Sequence, residues 1–154
     1  MTPRIDPFAA ASKDMKRWID FSLGLKGIEP RLAELVKIRA SQINGCAYCL
    51  DMHTKDARLR GETEQRIYAL NAWRETPFFT DRERAALDWT EAVTCVSESH
   101  VPDDVYQRAK AQFNDDELVA LTMGVVVING WNRLAVAFRA PVGSYAPAAV
   151  GVAG

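Results

Sequence analysis

Apolar residues recur at helical spacing along most of the chain, and no run alternates apolar with polar as a half-buried strand would. The pattern predicts an all-α fold. Met15, Trp18, Ile19 and Leu23 fall on one face of a helix from Ser12, which can cap it, to about Gly24. Pro30, suited to the first helical position, opens a second helix to about Ile43, and Asn44-Gly45 supplies its left-handed stop. A third helix is expected from about Cys46 to Arg60, ended by Gly61, and a shorter one from Glu62 to about Trp73. Thr80-Asp81-Arg82-Glu83 reads as a capping box for a helix that includes Ala86, Leu87, Trp89, Thr90, Val93 and Thr94. Pro102 opens another to about Phe113, and Asn114 with Glu117 caps a long last helix to about Arg139. That helix is apolar nearly all round in its first half, which predicts burial on every side. Its apolar stretch, Leu118 to Ile128, is too short for a bilayer and runs into Asn129, Asn132 and Arg133, so no membrane contact is expected.

Beyond Pro141 the chain is Ala, Gly, Val and Pro with a single Tyr145, read as an irregular tail without chemistry of its own, lying on a neighbouring subunit. No repeat or linker interrupts the rest, so residues 1–154 are expected to form one domain, with a core over 31–139 and the tail over 141–154. The length of 154 residues, 48% hydrophobic and 25% charged, suits that reading. Nineteen basic against twenty acidic residues leave a net charge of −1, which provides no field for nucleic acid or anionic lipid. The first twenty residues scatter their charges and contain no apolar signal core, so a cytoplasmic address is expected. Three cysteines are too few and odd in number for a disulfide scaffold, which turns attention to redox or metal chemistry.

The chemistry concentrates in ELVKIRASQINGCAYCLDMH, residues 34–53. At 100° per residue, Cys49 lies about 60° behind Cys46 and His53 about 20° behind it, so the three share one helical face. His53, one turn beyond Cys49, can take or return its proton. Both sulfurs fall in the first turn of a helix, where free N–H groups and the dipole favour a thiolate. Glu34 sits among Leu32, Ala33, Leu35 and Val36; if the helices fold back across Asn44-Gly45, it can orient the His53 ring. Taken singly, Glu34 is a surface residue of an amphipathic helix, His53 a capping or surface histidine, and a lone Cys-x-x-Cys is divided between redox, metal and chance. Joined at these spacings they read as one site.

Haem attachment would need histidine directly after the second cysteine, where Leu50 stands. Structural zinc could draw on Cys46, Cys49 and His53, with Cys95, His100 or Glu34 as the fourth ligand. The favoured expectation is a site without metal or cofactor. Cys95 reads as a packed apolar thiol and His100 as a solvated loop residue.

The glutamate, the Cys-x-x-Cys twelve residues later and the histidine four beyond it resemble the signature of the AhpD-like alkylhydroperoxidase branch of the carboxymuconolactone decarboxylase family. FTDRERAALDWTEAVT from Phe79 and INGWNRLAVAF from Ile128 resemble it also, so that the likeness extends from Arg31 to Phe138. The resemblance implies an all-α fold of paired helices, a homotrimer or homohexamer, and thiol peroxidase activity in antioxidant defence. AhpD proper has a histidine where Tyr48 stands. The decarboxylase branch lacks the cysteine pair, which argues against lactone chemistry. In the expected cycle Cys49, deprotonated through His53 and Glu34, attacks a hydroperoxide, Cys46 closes the disulfide, and an external dithiol or protein reductant reopens it. General dithiol–disulfide exchange and a non-catalytic zinc-binding helical module are the competing readings.

Overall fold

The computed structural model describes residues 2–147 and is helical, with no strand among them. Its α-helices are α1 (Pro7–Ala10), α2 (Ser12–Gly24), α3 (Pro30–Asn44), α4 (Ala47–Leu59), α5 (Glu64–Ala69), α6 (Asp81–Thr94), α7 (Val96–Ser99), α8 (Asp103–Lys110) and α9 (Asp115–Phe138), with a 3-10 segment over Leu70–Glu75. The expected stops and starts hold where the side chains dictate them. Gly45 takes φ 65°, and its N–H with that of Cys46 closes the end of α3 onto Gln42 and Ser41 carbonyls, so α4 turns back on α3. Both capping boxes form, Thr80 with Glu83 and Asn114 with Glu117.

Other expectations need correction. Ala11 precedes α2 and offers no side-chain cap, so Ser12 is its first residue. Asp6 and Pro7 start a helix that hydrophobic periodicity is too short to register: Asp6 Oδ1 accepts the N–H of Phe8 at 2.9 Å. The helix expected from Glu62 to about Trp73 starts instead at Glu64, capped by Thr63, ends as an α-helix at Ala69 and continues as the 3-10 segment, which is kinked within at Ala72. Residues 141–147 are irregular as expected; the remainder of the anticipated tail, 148–154, lies outside the described residues.

The centre of the fold is α3, packed against α4, α6 and α9. Leu35 and Ile38 on α3 are fully buried with Leu87 of α6 and Leu70 of the 3-10 segment. Each such side chain contributes about 1.5–3 kcal/mol by leaving water. A second group joins Leu32 and Val36 to α6, Phe113 and the buried stripe of α9 through Leu118, Leu121 and Val125. By length and composition α9 could cross a bilayer, yet here that stripe packs into the protein core. Burial on every side of α9 does not occur: Val119 and Val126 point outward, 63% and 47% exposed, because only one flank of the helix meets α3 and α6. Leu23 likewise leaves the expected face of α2, of which only Met15 is buried. The contact between α2 and α9 is aromatic, Trp18 against Trp131, over Gly130, where a β-carbon would lie 2.6 Å from the Trp18 ring.

Candidate active site

Cys46 is the N-cap of α4, in the position usually held by serine or aspartate, and its sulfur accepts the Cys49 N–H at 3.4 Å. The loop geometry that Gly45 imposes thus aims Sγ back over the first turn. Cys49 lies one turn along, the two sulfurs stand 2.6 Å apart, both cysteines are buried, and neither is in a disulfide. The hydrogen bond from the Cys49 thiol, opposed by burial and aided by backbone N–H groups, brings the Cys46 thiol down to about 7. The same bond, with burial and the neighbouring thiolate, pushes Cys49 up. The helix start therefore stabilises one thiolate, on Cys46, with Cys49 as its donor.

Behind the sulfurs lies a polar cluster that sequence reasoning did not assign to the site. Asn132 of α9 donates to Ser41 Oγ at 3.0 Å and accepts from Asn44 at 2.9 Å, while Asn44 also donates to Asn129 at 3.0 Å. Asn132 favours the charged form of both thiols and Ser41 that of Cys49. The available signal was a pair of asparagines inside an otherwise apolar helix, where an unpartnered amide would be costly.

The fold-back of α4 onto α3 brings Glu34 Oε2 within 2.8 Å of His53 Nδ1, both residues being buried. Glu34 also receives Lys37 at 3.0 Å and stands 3.7 Å from Arg60. Burial pushes its carboxyl up, but the His53 hydrogen bond and the Lys37 charge outweigh this and hold it below the usual range. The apolar neighbourhood of Glu34 is thereby explained. The direct proton transfer expected between Cys49 and His53 is not arranged: among the described residues no hydrogen bond joins His53 to either sulfur. The Cys49 thiol turns toward Cys46, and the imidazole turns toward Glu34.

Cys49, His53 and Glu34 instead meet across one cavity of about 690 Å³, whose wall also includes Tyr48, Met52, Ile128 and Trp131. Cys46 is not among the residues that line it. Tyr145, expected to carry no chemistry, belongs to it: its hydroxyl donates to Asp56 at 2.8 Å, and its carbonyl accepts from Lys55 at 2.9 Å. Burial and Asp56 push that phenol up to about 12.

The ligand set anticipated for zinc is not gathered. Among the described residues the acidic, histidine and cysteine side chains close enough to share a metal are Glu34, His53 and Asp56, which exclude the sulfurs. Two of these three already bond to each other, beside the Lys37 cation. Cys95 ends α6, where burial, Glu98 and Glu91 push its thiol up, and His100 is exposed in a left-handed turn.

The sequence pattern of the carboxymuconolactone decarboxylase family matches residues 15–92. YdfG of Bacillus subtilis, an uncharacterised protein, is 42% identical over 139 residues, 89% of this chain and 95% of its own length. The crystal structure of a protein of unknown function from Agrobacterium tumefaciens, a candidate AhpD antioxidant defence protein, has a TM-score of 0.90 at 40% identity and covers 94% of this chain and 100% of that one. An uncharacterised peroxidase-related protein from Silicibacter shares the fold, with a TM-score of 0.77 at 23% identity over 89% of this chain and 74% of its own. By family pattern, sequence and fold together, the chain belongs to the carboxymuconolactone decarboxylase family, in its AhpD-like branch.

Proposed function

We propose that the protein is a thiol peroxidase that reduces hydroperoxides through a Cys46–Cys49 dithiol–disulfide cycle. The observation that carries this reading is the pair of free sulfurs 2.6 Å apart, with Cys49 open to a cavity that also presents the Glu34–His53 pair. The likeness to a candidate antioxidant defence protein supports it.

In the reduced site the proton lies on Cys49 and the charge on Cys46. Passing that proton across the short S–S separation leaves a thiolate on Cys49, the sulfur that meets the cavity. Cys49 attacks the terminal oxygen of the hydroperoxide; the O–O bond breaks, and the departing alkoxide takes a proton from His53 to leave as an alcohol. Glu34 stabilises the imidazolium that supplies it and sets the ring. The Cys46 sulfur then displaces hydroxide from the Cys49 sulfenic acid, which departs as water with the Cys46 proton, and the disulfide forms. An external dithiol restores both thiols. Cys49 thus remains the attacking sulfur, though its proton leaves by way of Cys46 rather than directly to His53.

The test is to mix reduced protein with tert-butyl hydroperoxide and count free thiols by mass spectrometry. Loss of two thiols per chain is expected, and retention of both overturns the activity. The cytoplasmic address and the trimeric or hexameric assembly are part of the same proposal. The outward Leu23, Val126 and Val136 supply apolar surface for such contacts.

A further inference from the structure

The cavity extends well beyond what two sulfurs require. One stripe of α9, Ile128, Trp131, Ala135 and Phe138, forms a wall at spacings of three, four and three residues. Ile128 packs against the cysteines, and eleven residues later, about 16 Å along the axis at 1.5 Å per residue, the wall reaches Arg139. Also lining the cavity are Ile5, Phe8, Ile19 and Met52. The result is an apolar trough with the reactive sulfur at one end and a guanidinium at the other.

The charges along this trough are unevenly partnered. Lys37 and Arg60 are both directed at Glu34. Asp6 is occupied by the N–H groups that open α1, and Asp56 by the Tyr145 hydroxyl. Arg139, half-buried at the end of α9, enters no ion pair among the described residues. A guanidinium beside an apolar wall has a planar fork of donors suited to a carboxylate.

We propose that the cavity takes an apolar chain with a carboxylate at one end and a hydroperoxide remote from it, the chemistry of an oxidised unsaturated fatty acid. Arg139 holds the carboxylate, the α9 stripe packs the chain, and the hydroperoxide comes to rest at Cys49. The assignment rests on the peroxidase reading, whose stoichiometry it keeps: the dithiol becomes a disulfide, the hydroperoxide becomes an alcohol and water, and the carboxylate is unchanged.

Two measurements on the full chain test it separately. Calorimetric titration with decanoate and with its methyl ester involves no redox step. The acid is expected to bind at least about tenfold more tightly to the wild type, the preference to fall to about twofold or less in Arg139→Gln, and to persist in Arg139→Lys, with circular dichroism reporting the fold of each. Thiol loss is then timed with linoleic acid hydroperoxide and with its methyl ester, and the acid-to-ester rate ratio should follow the same order across the three proteins. Equal binding of acid and ester by the wild type, or a preference that Arg139→Gln retains, overturns the carboxylate site. The expected binding preference without thiol loss to any hydroperoxide upholds the site and overturns the peroxidase reading.

Discussion

Two glutamates are buried almost completely in this protein, Glu34 at 3% exposure and Glu62 at 1%, and the contrast between them separates architecture from chemistry. Glu62, in the turn between α4 and α5, receives Arg66 at 2.8 Å and the Thr63 N–H at 2.9 Å, with Arg31 at 3.6 Å. Its partners include permanent cations, and Arg66 passes the tie on to Glu83 and the Phe78 carbonyl. Glu34 has instead a histidine as its closest partner and forms part of a cavity wall. Burial alone therefore does not mark a functional carboxylate. What sets Glu34 apart, and what the proposed function draws on, is a histidine partner beside a cavity.

Exchanging the carboxylates one at a time should separate the two roles. Glu34→Gln removes the charge that stabilises the His53 imidazolium, and thiol loss with tert-butyl hydroperoxide is expected to slow by a factor of about 10²–10⁴, while chemical denaturation reports a fold still intact. Glu62→Ala should do the reverse. Arg66 keeps Glu83, but the Thr63 N–H and one arm of Arg66 lose their buried acceptor, which is expected to cost about 1–3 kcal/mol in urea denaturation, with the thiol chemistry of the folded protein preserved. A slow Glu62 variant or a fast Glu34 variant breaks the distinction.

The acid limb of stability sharpens it further. Glu34 titrates below its ordinary value in the folded chain, so its contribution is present above the unfolded carboxylate pKa and is lost as pH falls through the folded value. Thermal denaturation at successive pH values should therefore show a shallower acid loss in Glu34→Gln than in wild type. A smaller effect is expected at the sulfurs. Thiolate absorbance of the reduced protein should rise with a midpoint near pH 7 for Cys46, and Asn132→Ala should move it up by about one pH unit. An unmoved midpoint removes the asparagine from the account.

Much of this site was legible where it depends on neighbours in sequence. Asn44-Gly45 dictates the reversal between α3 and α4, the reversal brings Glu34 to His53, and the Cys-x-x-Cys spacing brings the sulfurs together on one turn. What escaped depends on residues far apart. Ser41 and Asn132 meet across 91 positions, and Tyr145 reaches Asp56 across 89. No periodicity reports such contacts. The direct contact expected between Cys49 and His53 failed for a related reason: helical spacing fixes which residues share a face, whereas competing partners decide where each polar hydrogen points. The outward Leu23, Val119 and Val126 show the same limit for apolar residues, since periodicity identifies an apolar face without specifying what covers it.

In the proposed cycle the sulfur that lines the cavity does the attacking and the N-cap sulfur closes the disulfide. Trapping the sulfenic acid tests this most directly, by treating reduced Cys46→Ser and Cys49→Ser proteins with tert-butyl hydroperoxide and dimedone and locating the adduct by mass spectrometry. An adduct is expected on Cys49 in Cys46→Ser, forming faster as pH rises because the thiolate that takes the Cys49 proton is gone, and none on Cys46 in Cys49→Ser. An adduct on Cys46 alone, or on neither sulfur, contradicts it.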